Sequence, residues 1–554
     1  MQSSMILKSF MNSASLTLLL LQIIFWQSVC FAQKVSSNEQ ARPNILLIMA
    51  DDLGYSDIGS YGSEISTPTL DELANNGLQY TNFYSGALCS PSRAMLLSGV
   101  DNHIAGLGNM VEIMTANQIG KLGYEGYLNE RVYSVASLIK STGYHTYMAG
   151  KWHLGTKPEH RPKSRGFEKT FALLEGSSGH FDNRGFRKND AVMSYVKNGE
   201  LIKLPKNFFS SRSYTDETIR HIENNRHQNK PFFAYLAYTA PHWPLQVTDD
   251  YLDRYAGKYD SGYNKIRDSR LQKLKHLGVV KEDFEMTKIL GQLMAWEKQS
   301  PKERKKNARK MEIYAAMIDN LDHHIGRLFD YLKTTKQYEN TLIIFLSDNG
   351  PSGISFKSQW IKDNFNNQIK NMGKKGSFVS YGSEWAQVSS TPFRGHKAHQ
   401  SEGGIRVPLI IKPPNYKGTK QLIDNIVTIR DIAPTLLEIA NVKKPFKQID
   451  KEKQSPSGKS FLSTFSNPQL SIHNNNEVFA WEVHGRRAIR QSNKKMILSP
   501  KPIGNGEWQL YDLAKDPGEV NDVKSAKQFS KFEDLWKEYV SHVGVVDPLF
   551  VKSK

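Results

Sequence analysis

The chain has 554 residues, more than a single hydrophobic core usually organises, so its length predicts two domains. Apolar residues make up 39% of it and charged residues 23%, and this composition excludes wholesale disorder. The net charge of +18 favours anionic substrates or partners. Because no nucleic-acid-binding motif accompanies that charge, we expect no nucleic acid partner.

The N-terminus resembles a secretory signal peptide, which we assign to residues 1–32. Lys8 provides a weakly positive start, and an apolar run follows over residues 16–26. The small residue Ala32 then precedes the predicted cleavage point. The apolar run is shorter than a membrane-spanning helix requires, and no later segment approaches that length. We therefore expect export without a stable membrane anchor.

The sequence contains two cysteines, Cys30 and Cys89, and cleavage after residue 32 removes the first. A lipid anchor on Cys30 is an alternative to release, which the bulky Val29 before it disfavours. The mature protein would be exported with one cysteine and no internal disulfide. The Asn-rich chain has no Asn-x-Ser/Thr acceptor, which suits a bacterial envelope better than a eukaryotic secretory route. We expect a protein secreted to the bacterial periplasm.

Strand-like apolar runs alternate with helical patterns through the first three-quarters of the chain. This alternation predicts an α/β fold with a large, mainly parallel but mixed sheet flanked by helices. Four runs, at residues 44–50, 145–149, 232–238 and 342–346, lead directly into polar residues. Ligands of open α/β sheets bind beyond the carboxyl ends of the strands, so these polar residues should meet at one edge. They are Asp51, Asp52, Lys151, His153, His242, Asp348 and Asn349.

Residues 88–99, LCSPSRAMLLSG, form the most specific segment of the sequence. Pro91 fits the first turn of a helix, where its missing N–H costs little, so Cys89 should lie at the helix N-terminus. Free amides and the helix dipole make that position a natural seat for an oxyanion. Arg93 lies one turn further on the same face and can add a charge-assisted contact.

Two acidic pairs, Asp51-Asp52 and Asp348-Asn349, are candidate metal ligands. Packing such carboxylates together without a cation would be costly, because like charges disfavour shared ionisation. Oxygen side chains without cysteine or histidine ligands suit Ca²⁺ or Mg²⁺ better than zinc. We prefer one Ca²⁺ per chain, because an irregular cage of several oxygens suits the tolerant coordination geometry of calcium.

The second half of the chain contains a long helix and a second, smaller domain. A Lys-rich run at residues 302–310 opens a helical pattern whose solvated face accounts for much of the positive charge. A strand at residues 405–411 and a helix at 429–439 complete a main domain spanning residues 42–442. Beyond a polar stretch, residues 459–554 should form a small α+β domain. Its predicted elements are antiparallel strands at 488–490, 495–498 and 508–513 and a helix at 524–540.

The segment at Cys89 resembles the signature of the sulfatase family within the alkaline-phosphatase-like superfamily. Other segments match the family's motifs in the family's order, and the chain looks most like the bacterial arylsulfatases. The matching segments are residues 51–55, 150–155, 241–242, 347–350, Lys397 with 402–408, and 510–517. Two differences stand out. Ser98 replaces a common threonine, and residues 394–400, RGHKAHQ, stand where many sulfatases have a glycine-rich run.

The resemblance implies that a formylglycine-generating enzyme oxidises Cys89 to formylglycine before or during export. One hydroxyl of the hydrated aldehyde would bind the cation and attack the sulfur of a sulfate ester, expelling the alcohol or phenol. The second hydroxyl would then lose its proton, and sulfate would be eliminated. The implied metal ligands are Asp51, Asp52, residue 89, Asp348 and Asn349.

The resemblance also assigns roles to five basic side chains. His153 would be the base that deprotonates the second hydroxyl. Lys151 and Arg93 would hold the nucleophile and its developing charge, while Lys397 and His242 would clamp the sulfate and help to protonate the leaving oxygen.

We expect an arylsulfatase that prefers small aryl sulfates, with Phe181 and Trp243 as aromatic walls for a planar ring. A sulfatase of sulfated carbohydrates is one alternative, because a basic surface could steer a polymer to the site. A phosphonate monoester or phosphodiester hydrolase of the same superfamily is another, because sulfate and phosphate esters share their geometry. A non-catalytic sulfate-binding protein is disfavoured, because every expected catalytic position is present.

Overall fold

The computed structural model describes residues 42–189, 191–289, 295–443, 452–523 and 525–549. The signal peptide predicted for residues 1–32 lies outside these ranges. From Pro43 onward the described residues belong to one compact unit. No helix in these ranges is long and apolar enough to cross a membrane.

The strands form one large sheet, one two-stranded pair and one small sheet near the C-terminus. In chain order they are β1 (Asn44–Asp51), β2 (Leu78–Tyr80), β3 (Phe83–Tyr84), β4 (His145–Lys151), β5 (Lys169–Leu173), β6 (Tyr195–Lys197), β7 (Glu200–Ile202), β8 (Phe232–Pro241), β9 (Thr341–Ser347), β10 (Leu409–Lys412), β11 (Gln421–Ile423), β12 (Val427–Thr428), β13 (Val478–Val483), β14 (Arg486–Gln491), β15 (Lys494–Leu498) and β16 (Trp508–Asp512).

The α-helices connect these strands and cover both faces of the large sheet. They are α1 (Pro68–Asn75), α2 (Cys89–Ser98), α3 (Val135–Ser141), α4 (Ser210–Asn225), α5 (Asp249–Leu252), α6 (Tyr263–His276), α7 (Pro301–Thr334), α8 (Gln359–Asn364), α9 (Gly382–Ser389), α10 (Glu402–Ile405), α11 (Ile429–Ile439) and α12 (Ala526–Val543). Short 3₁₀ helices occur at Gly59–Tyr61, Val111–Ile113, Pro158–His160, Pro162–Arg165, Arg226–Gln228, Trp296–Lys298, Ile369–Asn371 and Leu462–Phe465.

The large sheet has ten strands in the order β11-β2-β10-β9-β1-β8-β4-β5-β6-β7. The neighbours β9, β1, β8, β4 and β5 are parallel, whereas β10 and β6 pair with their neighbours antiparallel. All eight residues of β1 are buried, because helices cover both faces of the sheet. The predicted α/β fold with a mainly parallel, mixed sheet is confirmed.

The strand predicted at residues 405–411 begins later than expected. Glu402–Ile405 forms the short helix α10, and the strand β10 runs from Leu409 to Lys412. Two glycines in α10, Gly403 and Gly404, approach neighbouring backbone closely and leave no room for side chains. The apolar pattern therefore predicted a buried segment correctly, but it did not predict that the segment begins at the end of a short helix.

The helix predicted from the Lys-rich run is present as α7. Ser300 accepts a hydrogen bond from the Glu303 amide, while the Glu303 side chain accepts one from the Ser300 amide, so a capping box fixes the start of the helix. Lys302, Lys305 and Lys306 are exposed in the first turns. The apolar positions that defined the pattern are all buried: Tyr314, Ile318, Leu321, Ile325, Leu328 and Leu332.

The C-terminal sheet is antiparallel, in the order β13-β14-β15-β16, and α12 packs against it. Three of these strands were predicted. The fourth, β13, was missed, although its residues 478–483 alternate between buried and partly buried positions at the start. The helix α12 extends from Ala526 to Val543, and residue 524, where the predicted helix began, lies outside the described ranges.

Candidate active site

The carboxyl ends of four parallel strands deliver polar side chains to one edge of the large sheet. Asp51 ends β1 and Lys151 ends β4. His242 follows β8, and Asp348 follows β9. The helix α2 adds Cys89 and Arg93 to this edge, and the loop before α10 adds Lys397. Residues far apart in sequence therefore meet where the alternation pattern placed them.

Cys89 is the first residue of α2 and is buried among charged groups. Its Sγ lies 3.6 Å from Asp51 Oδ1, 3.8 Å from Asp52 Oδ1 and 2.9 Å from Lys397 Nζ. Burial raises the pKa of the Cys89 thiol well above its usual range, although Lys151 and Lys397 act in the opposite direction. Burial therefore favours the protonated thiol over the thiolate, which is the stronger nucleophile.

Arg93 joins α2 to the ends of two strands. Its Nε and Nη2 donate to Asp348 Oδ2 at 3.0 and 2.9 Å, and its Nη1 donates to the Lys151 carbonyl at 2.9 Å. The side chain is fully buried. These hydrogen bonds hold the guanidinium in one position, and its ionic partner Asp348 offsets the cost of burying the charge.

Lys151 and Asp51 form a buried ion pair, with Nζ 2.9 Å from Oδ1 and 2.8 Å from Oδ2. Although burial opposes it, the charges of Lys151, Arg93 and Lys397 lower the pKa of Asp51. Burial and the nearby Asp51 charge instead raise the pKa of Asp348. The pKa values of these two neighbouring carboxyls are therefore shifted in opposite directions, as expected for acidic groups that share one site.

Asp52 has a left-handed backbone, with φ 64°, an uncommon conformation for a non-glycine residue. Its amide donates to Asp348 Oδ1 at 3.1 Å. Its Oδ1 accepts hydrogen bonds from Asn349 Nδ2 at 2.7 Å and from Lys397 Nζ at 2.6 Å. His242 Nε2 lies 3.4 Å from the other oxygen, Oδ2.

These side chains fit a divalent cation. Asp52 Oδ2 and Asn349 Oδ1 are buried and have no hydrogen-bond partner within the described ranges. Orphaned buried oxygens are costly unless something binds them, and a hard cation would satisfy both. Potential ligand atoms of Asp51, Asp52, Cys89 and His242 lie within 4.8 Å of one another. His242, which the sequence analysis did not assign to the metal, thus lies beside the predicted ligands.

His153 also has a left-handed backbone, with φ 58°, and its ring is buried. Its Nε2 lies 3.0 Å from Glu112 Oε1, while its Nδ1 has no partner among the described residues. Burial lowers the pKa of His153, and Glu112 opposes that shift. Although burial acts in the opposite direction, His153 lowers the pKa of Glu112 to about 2. The carboxylate thus accepts Nε2–H, and Nδ1 is left as the basic atom.

Glu112 is a site residue that sequence analysis missed. It lies in the 3₁₀ helix Val111–Ile113, on a loop with no periodic pattern. A lone glutamate 41 residues before a histidine carries no recognisable spacing. Its pairing with His153 depends on the tertiary fold.

A cavity of about 650 Å³ opens above these groups. Cys89, His153, His242 and Lys397 line its polar end. The remaining walls are largely apolar and include Met110, Val111, Ile113, Phe186, Met193, Trp243, Ile354 and Ile503. The structure places Trp243 where the sequence analysis expected an aromatic wall. Phe181 was assigned wrongly, because it packs against Phe209 and lines a different cavity.

A profile of the Sulfatase family matches residues 43–442. The chain belongs to the sulfatase family. It is accordingly a sulfuric ester hydrolase with the alkaline-phosphatase-like fold of that family. A second profile, described as N-sulphoglucosamine sulphohydrolase, C-terminal, matches residues 396–543.

Two relatives support the sulfatase assignment, and one solved structure is similar in fold. An uncharacterized sulfatase of Schizosaccharomyces pombe is 40% identical over 528 residues, covering 92% of this chain and 95% of that protein. An arylsulfatase of Klebsiella aerogenes is 38% identical over 445 residues, covering 77% of this chain and 93% of that protein. The crystal structure of Ps i-CgsB is similar with a TM-score of 0.65 and 24% identity, covering 91% of this chain and 93% of that one. The last likeness supports the fold alone.

Proposed function

We propose that this sulfatase is an arylsulfatase whose catalytic group is a formylglycine made from Cys89. The observation that carries the proposal is the position of Cys89 Sγ, at the N-terminus of α2 and within 4 Å of Asp51, Asp52 and Lys397. Formylglycine in its hydrated form supplies one hydroxyl for attack on sulfur and a second through which sulfate is eliminated.

We also propose one Ca²⁺ per chain. It would supply positive charge that lowers the pKa of an oxygen bound to it and offsets the charge of the sulfate. The proposed ligands are Asp51, Asp52, residue 89, Asp348 and Asn349. The orphaned oxygens of Asp52 and Asn349 support a cation, and the number of oxygens favours calcium over magnesium.

Lys397 is the best-equipped proton donor to the leaving oxygen. Although burial acts against it, the charges of Asp52, Asp51 and Asp348 hold the pKa of Lys397 above its usual range, so the side chain stays cationic. His242 donates from Nδ1 to the Trp243 carbonyl at 2.7 Å, so it carries a proton on Nε2 only as imidazolium. Burial lowers the pKa of His242 well below its usual range. His242 is therefore a weaker candidate than Lys397 for protonating the leaving oxygen.

The remaining basic groups act on the nucleophile. Arg93 and Lys151 fix Asp348 and Asp51 and balance charge that develops at residue 89. His153, with Nδ1 free to accept a proton, is the base that removes it from the second hydroxyl. Glu112 holds the ring and stabilises the imidazolium that forms.

Small aryl sulfates are the proposed substrates. Phe186 and Trp243 lie with ring centroids 4.8 Å apart in an edge-to-face pair, and both line the cavity above Cys89. Such a wall suits a planar apolar ring. We also propose that a formylglycine-generating enzyme converts Cys89 and that the protein is exported to the bacterial periplasm. The N-terminal sequence supports the export.

Mass spectrometry of the Cys89 peptide from natively produced enzyme tests the proposed nucleophile. The peptide should be lighter than the unmodified cysteine peptide, and hydrazine reagents should trap its carbonyl. Cys89→Ala should abolish turnover of nitrophenyl sulfate and leave the thermal unfolding profile largely intact. Fully active protein with an intact, alkylatable thiol would refute the mechanism. Parallel assays with an aryl phosphodiester would decide the alternative phosphodiester activity.

Elemental analysis of purified enzyme tests the metal. We expect one calcium per chain, and Asp52→Ala should remove both calcium and activity. Asp268→Ala, which removes an exposed carboxylate on α6, is the matched control and should retain both. Stoichiometric zinc, or an active metal-free enzyme, would overturn the assignment.

A further inference from the structure

The C-terminal sheet contributes a cation to the same cavity as the catalytic groups. Arg486 is the first residue of β14, and its side chain lines the cavity together with Cys89 and Lys397. Its Nη1 donates to the Ala398 carbonyl at 2.6 Å, one residue along the chain from Lys397. The guanidinium therefore lies beside the segment that carries the catalytic lysine.

No carboxylate within the described ranges forms an ion pair with Arg486. Its neighbours differ, because Arg487 pairs with Asp547 at 2.7 Å and Arg394 with Glu519 at 3.5 Å. Burial lowers the pKa of Arg486, and no acidic group opposes the shift. A largely buried guanidinium without a counter-charge is costly, and an anionic ligand would offset that cost.

His399 lines the cavity next to Arg486. Its Nδ1 donates to the His396 carbonyl at 3.1 Å, so Nε2 carries no proton while the ring is neutral. Burial and the Arg486 charge lower the pKa of His399 to about 4, so the ring is neutral. His396 differs, because both its nitrogens are engaged, with the Lys397 carbonyl and with Ser383 Oγ.

The two acidic residues of the cavity and Lys397 have partners within the protein. Glu112 pairs with His153, and Glu175 accepts from the Ser194 amide at 2.8 Å. Lys397 contacts Asp52 and Cys89 at the position proposed for the sulfate that is cleaved. Arg187 also lines the cavity, but it is exposed and lies over the Phe186 ring. The Arg486 guanidinium is thus a largely buried positive charge in the cavity, apart from the groups that act on that sulfate.

Residues 396–399 line this side of the cavity, and they lie in the segment 394–400 that replaces the glycine-rich run of many sulfatases. Ala398 has φ 70°, a conformation that costs a non-glycine residue on the order of 1 kcal/mol or more. Its amide donates to the Ala87 carbonyl at 2.7 Å, and its own carbonyl accepts from Arg486. These two hydrogen bonds hold the strained Ala398 backbone at the edge of the cavity, and such strain is often found where a protein binds a ligand.

We propose that the Arg486 guanidinium forms a second anion-binding subsite, which the neutral ring of His399 borders. The preferred substrate is then a sulfate ester that carries another anionic group, a carboxylate or a second sulfate, on the same molecule. The planar guanidinium offers parallel N–H donors that match the oxygens of either group. This inference rests on the proposed function, because the cleaved sulfate must occupy the position beside residue 89.

The test uses three nitrophenyl sulfates that differ at one meta position, which carries a carboxylate, a second sulfate or a neutral carboxamide. With the full-length converted enzyme, we expect kcat/KM for an anionic ester to exceed that for the carboxamide by about tenfold or more. Arg486→Met should collapse this ratio toward one, mainly through KM. Arg487→Met, which removes the neighbouring paired arginine, should leave the ratio unchanged. The carboxylate and disulfate arms identify which anion the subsite takes.

Two results would overturn the subsite. One is a wild-type enzyme that turns over all three esters with the same kcat/KM. The other is an Arg486→Met variant that slows all three equally, which would make Arg486 a support for the Lys397 segment. If converted enzyme cleaves none of the three, the proposed arylsulfatase function itself fails.

Discussion

At the scale of single residues, the pairing of His153 with Glu112 decides which ring nitrogen can act as a base. Glycine at position 176 makes room for the pair, since a Cβ there would lie 2.7 Å from His153 Cε1 and 3.3 Å from Glu112 Oε1. The carboxylate opposes the desolvation that lowers the pKa of His153. It thereby keeps a buried imidazole basic enough to take a proton.

Glu112→Gln should lower kcat for nitrophenyl sulfate by about 10- to 100-fold, with a smaller effect on KM. Removing the charge lowers the pKa of His153 further, so the acidic limb of the kcat profile should move to lower pH. Glu175→Gln alters another carboxylate of the same cavity and is the control. An unchanged kcat and an unchanged acidic limb in Glu112→Gln would contradict the role given to Glu112.

At the scale of secondary-structure elements, the pairing of β4 with β8 brings Lys151 to the site. This pairing requires glycine at position 150, which has φ 116°. A Cβ there would lie 1.8 Å from the Ala237 carbonyl oxygen in the neighbouring strand. Backbone cannot give way as a flexible side chain can, so the two strands could not keep their register.

Gly150→Ala should therefore destabilise the protein by at least about 3 kcal/mol or prevent folding. Gly120→Ala is the matched control, because Gly120 also has a left-handed backbone (φ 77°) but nothing lies within 4 Å of the added Cβ. It should cost about 1 kcal/mol. Denaturant unfolding of both variants measures the difference, and equal losses would show that steric overlap is not the cause.

At the scale of the whole molecule, a buried histidine joins the two predicted domains. His103 lies between Asp101 at 2.9 Å and Glu482 of β13 at 3.0 Å, and Tyr539 of α12 donates to Asp101. Although burial opposes it, these two carboxylates raise the pKa of His103 to about 9. The charged imidazolium therefore stabilises the contact between the main domain and the C-terminal sheet.

The stability that His103 contributes should depend on pH. Since its pKa is raised in the folded protein, the contribution is fully present below the unfolded value near 6.5 and is lost as pH rises through about 9. The Tm difference between wild type and His103→Gln should thus be largest near pH 6 and shrink toward pH 9. His323→Gln, at an exposed position of α7, should show no such trend. A pH-independent difference for His103→Gln would refute the ion pair.

The sequence by itself determined the architecture and the polar edge of the large sheet. Buried parallel strands read as continuous apolar runs, and their carboxyl ends must meet, so Asp51, Lys151, His242 and Asp348 could be placed together before the structure was known. The segment at Cys89 likewise specified its own helix through local signals. The strand β13 was missed because short, half-buried strands leave a weak pattern.

Tertiary structure alone decided which partners these residues meet. Three contacts each involve a loop residue that has no periodic sequence signal. They are the contacts of Glu112 with His153, of Arg486 with the Ala398 carbonyl and of Lys397 with Asp52. The sequence also could not separate Phe181, which packs elsewhere, from Trp243, which lines the cavity. Periodicity fixes which face of an element is buried, whereas the path of a loop depends on contacts between residues far apart in the sequence.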